Sequence, residues 1–273
     1  MAASCAWACF VSSKWTAGPC SQRAPCEVVQ GRGTFTDSLN STGWGHLKVE
    51  SDADELGTKA AGVVEGYLTA AHVASSFLNN NAFTFGCLDA SCVPAEVTEF
   101  MEAQEKWARK QIADHPTDRF WQAIGGVMSQ YDGMQIGVEL AGVSLPKHWR
   151  WLLNGIGDLF QIKPAVVPSL RPDWHSMSRA EKRTTLQRQG HCSALIKVLP
   201  GLEDLFMGHS SWFEYANMDR IFKYYELRGE ATKRLLGVPS RTVSFSSYPG
   251  CAPPPPPPLP TLISTSPPTL RFA

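Results

Sequence analysis

The chain carries little charge. Only 18% of its 273 residues are Asp, Glu, Lys or Arg, and 25 basic side chains face 25 acidic ones for a formal net charge of zero. That balance supplies no basic field for nucleic acid or anionic lipid. With 43% hydrophobic content it also excludes global disorder, which needs low hydrophobicity and high net charge. No run of 18 apolar residues occurs, which excludes an ordinary transmembrane helix. Eight cysteines are too few for a disulfide-dense miniature fold. No repeat of 20–50 residues is visible, which excludes a solenoid. What is present is length enough for one large domain or two small ones, with a buried core.

The two ends differ from the middle. Residues 1–30 hold Cys5, Cys9, Cys20 and Cys26 with no histidine nearby. Their spacing is wider than the C-x2-4-C pairs of zinc sites, so no metal is expected. Ala2 to Val11 is apolar and compatible with a short signal-peptide core. It lacks a preceding basic segment and a small-x-small cleavage site, so the segment reads as a leader of uncertain structure, contributing little to the fold. Residues 251–273 contain the run Pro253 to Pro258. Such a run has no backbone donors and adopts extended polyproline II. It reads as a disordered tail, with contact to an aromatic-lined groove of SH3 or EVH1 type as the alternative.

Helices come first in the middle. Residues 60–78 carry Val63, Val64, Tyr67, Leu68 and Phe77 near helical period, weakened by Gly62 and Gly66. Pro94 opens a helix through residue 114, Thr117 caps another to Tyr131, and Trp149 to Phe160 forms a fourth. Residues 31–167 are thus helix-rich. Residues 168–191 lose apolar period, and Pro168, Pro172, Arg179, Lys182, Arg183 and Arg188 mark an exposed linker. The texture then changes over residues 192–250. Cys192 to Leu199 and Asp204 to Trp212 read as a hairpin about Pro200-Gly201, Tyr215 to Leu227 as a helix, and Arg241 to Tyr248 as a strand. The fold class is α+β.

One constellation can carry chemistry. Gly190-His191-Cys192-Ser193 leads into the first hairpin strand, while His209 and Trp212 lie on the second. A cysteine with a histidine in reach is the minimum for a thiolate nucleophile. The same residues also read as a buried thiol and a satisfied strand histidine. Asn40-Ser41-Thr42 is an N-glycosylation sequon in a turn-like segment, or an unused surface asparagine. Cys87 and Cys92 flank a loop; they could bridge in an oxidising lumen or stay reduced.

The wording around these residues is specific. The block GHCSALIKVLPGLEDLFMGHSSWFEYANMDRIFKYYEL, followed by SFSSYPG, closely resembles the phospholipase B-like family, which includes the laminin-ancestor proteins. DSLNSTGWGHLKVE, AAGVVEGYLTAAHV, FMEAQEKWARKQI, DRFWQAIGGVMSQYDGM and NGIGDLFQI agree with it upstream and in order. The resemblance covers roughly residues 33–250. It implies an N-terminal-nucleophile hydrolase with an αββα sandwich, cut between His191 and Cys192 so that Cys192 becomes the nucleophile. His209 and Trp212 match the family's histidine and tryptophan on the second strand. The implied chemistry is hydrolysis of lipid esters or amides, in lysosomes or secretions, without a cofactor.

After Tyr248-Pro249-Gly250 the resemblance stops and the text changes to Cys251-Ala-Pro-Pro. The family adds further sheet and polar groups beyond this point, including an asparagine and an arginine near the oxyanion, so the chain reads as a truncated member. Two alternatives to a hydrolase therefore stand: an inactive family member, and a chain that binds partners through its proline tail.

Overall fold

The longest element, α2 (Glu55–Phe85), owes its position to small residues. It starts at Asp54, whose side chain accepts from the Gly57 amide at 2.7 Å, and ends at Gly86 in the left-handed conformation. Gly62 and Gly66 lie on the face that meets α4 (Arg119–Leu140), where Gly133 and Gly137 answer them. A Cβ on Gly62 would stand 2.1 Å from the Gln130 carbonyl oxygen, and one on Gly137 2.1 Å from that of Val63. The glycines that weaken the helical pattern are thus what lets the two backbones touch. Asp118, rather than Thr117, caps α4, accepting from the Phe120 amide at 2.7 Å.

The structure is a computed structural model describing residues 3–52, 54–89, 91–187, 192–210, 213–228 and 240–252. His191, Trp212 and residues 253–273 of the proline-rich tail lie outside the described residues.

Beneath α2 lies a six-stranded sheet. Its strands are β1 (Ser4–Val11), β2 (Lys14–Pro19), β3 (Gly31–Ser38), β4 (Trp44–Asp52), β7 (Ile221–Arg228) and β8 (Ser240–Ser247), in the order β2-β1-β3-β4-β7-β8. Only the β4–β7 pair is parallel. A short helix, α1 (Leu39–Thr42), turns β3 into β4. Phe35, Leu47, Val49, Ile221 and Tyr225 alternate inward and bury against Ala61, Val63 and Val64 of α2. A second core forms where Val73 and Phe77 of α2 meet Met134 and Val138 of α4, together with Trp149, Trp151, Leu152 and Leu153 of α5 (Trp149–Asn154). The helix α3 (Ala95–Asp114) joins this core near its start, through buried Val97 with Met101 packed beside it, and is open further along; Trp107 is 55% exposed and meets Trp121 edge to face at 5.7 Å. Next in the chain come α6 (Leu159–Val166) and α7 (Arg179–Gln187).

Four expectations are corrected. Residues 1–30 are not a dispensable leader. Ala6, Trp7, Ala8 and Cys9 are buried in β1, the Trp7 indole donates to the Pro19 and Gln22 carbonyls, and Cys5–Cys20 and Cys9–Cys26 disulfides close the segment. Tyr215 to Leu227 is not a helix. Its aromatic and aliphatic residues satisfy a period of two as well as one of 3.6, and parallel pairing with β4 selects the strand β7. The linker 168–191 contains α7, whose start is a capping box of Ser178 and Glu181. The α+β reading sets the helices at 60–78, 94–114 and 117–131 on the sheet begun by residues 192–212; among the described residues they do not pack there. That hairpin, β5 (Ser193–Val198) and β6 (Leu205–Ser210), is a separate two-stranded sheet.

A buried ion pair joins the layers. Glu65 on α2 and Lys223 on β7 are both 0% exposed, with Lys223 Nζ 2.6 Å from Glu65 Oε1. The Tyr225 hydroxyl donates to Glu65 Oε2, and Lys223 Nζ donates to the Cys251 carbonyl at 2.5 Å. Burial, reinforced by the Glu65 charge, holds the Tyr225 hydroxyl protonated well above the ordinary tyrosine range.

Two outcomes follow. Gly62→Ala and Gly137→Ala each lower unfolding free energy by about 1–3 kcal/mol in urea titration, even though alanine is the better helix former. Lys223→Met alone costs about 3–5 kcal/mol, because the Glu65 carboxylate is left buried without its counter-charge. Adding Glu65→Gln to it recovers most of that loss.

Candidate functional site

The hairpin that carries the candidate nucleophile is short, and among the described residues its two strands pair with each other alone. Ser193 pairs with Ser210 and Ala194 with His209, through to Val198 with Leu205. Cys192 is exposed and stands immediately before the first paired residue. Its φ of +153° is a backbone conformation that costs a non-glycine residue free energy. The register places His209 opposite Ala194, two residues along from Cys192, so the turn at Pro200-Gly201 brings the two segments together as a hairpin requires. His191 and Trp212, the other two members of the predicted constellation, lie outside the described residues.

Both faces of this hairpin are apolar. Leu195 is 68% exposed and Ile196, Val198, Leu205 and Phe206 are each more than half exposed, although neighbouring residues point to opposite faces. Phe213, just past β6, is anchored by contrast, meeting Phe160 of α6 at 5.8 Å.

The remaining predicted positions are placed as follows. Asn40 is exposed on α1. Cys87 and Cys92 are bonded to each other. The three disulfides take six of the eight cysteines; the other two are Cys192 and Cys251. Burial pushes the Cys251 thiol up to about 11, and the thiol donates to the Leu153 carbonyl at 3.2 Å. It is therefore held in the protonated, unreactive form at neutral pH. Among the described residues no cluster of three or more His, Cys, Asp or Glu has the arrangement of a metal site.

One polar cluster escaped sequence reasoning. His72 of α2 stands between two carboxylates, with Nδ1 2.9 Å from Asp219 and Nε2 3.4 Å from Asp37, and its ring meets Phe35 edge to face. The hydrogen bond to Asp219 is the largest cause raising its pKa; the Asp219 and Asp37 charges add to it, and partial burial opposes them. Asp219 is 147 residues away in sequence, and a lone histidine in a helical segment gives no sign of such partners.

A raised folded-state pKa means that protonated His72 stabilises the fold. That contribution is fully present below the unfolded value near 6.5 and is lost as pH rises through the folded value. His72→Gln should therefore lower stability by about 1–2 kcal/mol at pH 5 and much less at pH 9. Denaturant titrations across that range measure it; an equal loss at both ends would refute it.

Comparison with known proteins places this fold and hairpin in context. The phospholipase B family model matches residues 31–253. Phospholipase B-like 1 of Rattus norvegicus is 37% identical over 231 residues, 80% of this chain and 39% of its own length. Phospholipase B of Crotalus adamanteus is 38% identical over 230 residues, 80% of this chain and 40% of its own. Phospholipase B-like protein D of Dictyostelium discoideum is 30% identical over 227 residues. The chain spans about two fifths of the length of these relatives. The matched residues begin at β3 and end past β8, and the chain belongs to the phospholipase B family.

Proposed function

We propose that this chain is the nucleophile-bearing part of a hydrolase that cuts lipid ester or amide bonds. The observation that carries the reading is family membership combined with an exposed thiol, Cys192, at the head of a strand. The αββα sandwich of an N-terminal-nucleophile hydrolase is the architecture it would complete, with the hairpin as one part of its sheets.

The chemistry proceeds in two stages. In the precursor, the Cys192 sulfur attacks the His191 carbonyl carbon, and the acyl group moves from nitrogen to sulfur. Water then hydrolyses the thioester, leaving a carboxylate on His191 and an α-amino group on Cys192. That amine has a pKa of about 7.7–8.0, so it serves as general base to its own thiol. In turnover the thiolate attacks the lipid carbonyl, the alcohol or amine leaves with a proton, and water releases the fatty acid from the acyl-enzyme. His209 is assigned to orient or protonate the leaving group, and Trp212 to wall the pocket. The unfavourable φ at Cys192 suits a peptide bond strained toward the first attack.

The disulfides and the exposed Asn40 sequon fit a lysosomal or extracellular location. One observation favours a second reading, an inactive family member: among the described residues, β5 and β6 pair with no strand but each other.

N-terminal sequencing tests the first reading. A chain beginning Cys192-Ser193-Ala194 is the expected product, formed without added protease. Cys192→Ser slows its formation, Cys192→Ala abolishes both cutting and hydrolysis, and His209→Ala lowers kcat by about 10²–10⁴. A full-length relative whose matching cysteine is changed to alanine, yet which hydrolyses lipid at the unaltered rate, would end the nucleophile assignment.

A further inference from the structure

Beside Phe213 lies a cleft of about 300 Å³. Its walls include Phe83 and Thr84 near the end of α2, Leu159, Phe160 and Lys163 on α6, and Leu170 beyond it. Phe83 and Phe160 meet edge to face at 6.2 Å, and Phe160 also meets Phe213, the third residue after β6. Phe160 thus links the wall of the cleft to Phe213.

Two polar groups stand in this apolar setting. Lys163 is partly buried, donates to the Thr84 carbonyl and lies 5.0 Å above the Phe85 ring. Burial lowers its pKa, and among the described residues no carboxylate is paired with it. The Thr84 hydroxyl is buried and has no hydrogen-bond partner among the described residues. A cation desolvated without a counter-charge and an unsatisfied hydroxyl both cost free energy. A convergent polar end in a mostly apolar cleft is the usual form of a small-molecule site.

We propose that this cleft binds a single-chain amphiphile with an anionic head, the head on Lys163 and the tail along Phe83, Leu159, Phe160 and Leu170. The charge complementarity is specific in sign: an ammonium with no acid opposite it selects carboxylate or phosphate over a neutral or cationic head. The ligand is either a fatty acid or a phosphate-headed lysolipid. The inference rests on the proposed hydrolase only for its source, since a fatty acid is what lipid ester hydrolysis releases.

Calorimetric titration of Cys192→Ala protein with decanoate, decyl phosphate and decanol, each below its micelle concentration, tests the site apart from the hydrolytic chemistry. Loss of hydrolysis with binding retained bears on Cys192, and loss of binding bears on the cleft. Saturable 1:1 binding of the anions is expected, with decanol at least about tenfold weaker. The tighter of the two anions identifies the source. Lys163→Met should weaken anion binding about 10- to 100-fold and leave decanol unchanged, while Lys163→Arg keeps it within a few-fold. Should Lys163→Met not fold, Leu170→Glu on the exposed rim puts a like charge at the mouth and should weaken the anions alone. Non-saturable binding, equal affinity for decanol, or indifference of the anions to these substitutions would overturn the proposal.

Discussion

The ion pair between Glu65 and Lys223 is the constraint around which the two layers are arranged. Both groups are fully buried, and a buried charge without its partner is far more costly than the pair. That asymmetry fixes β7 against α2 in one register, because sliding β7 by one residue would turn Lys223 away from Glu65 and Tyr225 away from the core. The Tyr225 hydroxyl and the Cys251 carbonyl complete the pair's hydrogen bonds, so the segment after β8 is drawn into the same network. Asn154 extends it, accepting from the Ala252 amide at 2.7 Å and donating to the Gly250 carbonyl at 2.9 Å. Removal of one partner is the costly change, whereas an apolar pair of similar volume in place of both is often neutral.

The glycine seam between α2 and α4 acts at the other face of the same helix. Backbone contact at Gly62, Gly66, Gly133 and Gly137 leaves no room for a side chain. Van der Waals contact between main chains then replaces the interdigitated side chains of an ordinary helix pair. α2 is thereby locked on both sides, by close approach above and by charge below. His72, one face further along, adds a polar tie to Asp219 in the segment leading into β7 and to Asp37 on β3. Its strength follows acidity, because the ring carries its charge only when protonated.

The hairpin of β5 and β6 contrasts with this. It carries the candidate nucleophile, yet its apolar side chains stand exposed on both faces. A sheet that is apolar on both faces is built to be covered on both. The relatives are about two and a half times as long as the part matched here. A nucleophile at the head of a strand gains precision only when that strand is held in a larger sheet, so the chemistry proposed for Cys192 depends on contacts the hairpin does not make by itself.

The α+β class, the helices at α3 and α4 and the hairpin were legible because each is specified by neighbours in sequence: a cap, a period or a turn. The Cys87–Cys92 loop was legible for the same reason. Strand β7 was not, since Ile221, Lys223 and Tyr225 fit either period until β4 offers a partner for its backbone groups. Strand β1 looked like a leader because its apolar residues form one short run, and only its pairing between β2 and β3 and the burial of Ala8 with the α2 core reveal it as core. Lys223 reads in sequence as an ordinary surface charge, and Glu65, Asp219 and Lys163 give as little sign of their partners. Local order is written by residues a few positions apart, whereas the burial of a charge is decided by what folding brings against it from 100 or more residues away, as Lys223 is brought to Glu65 and Asp219 to His72.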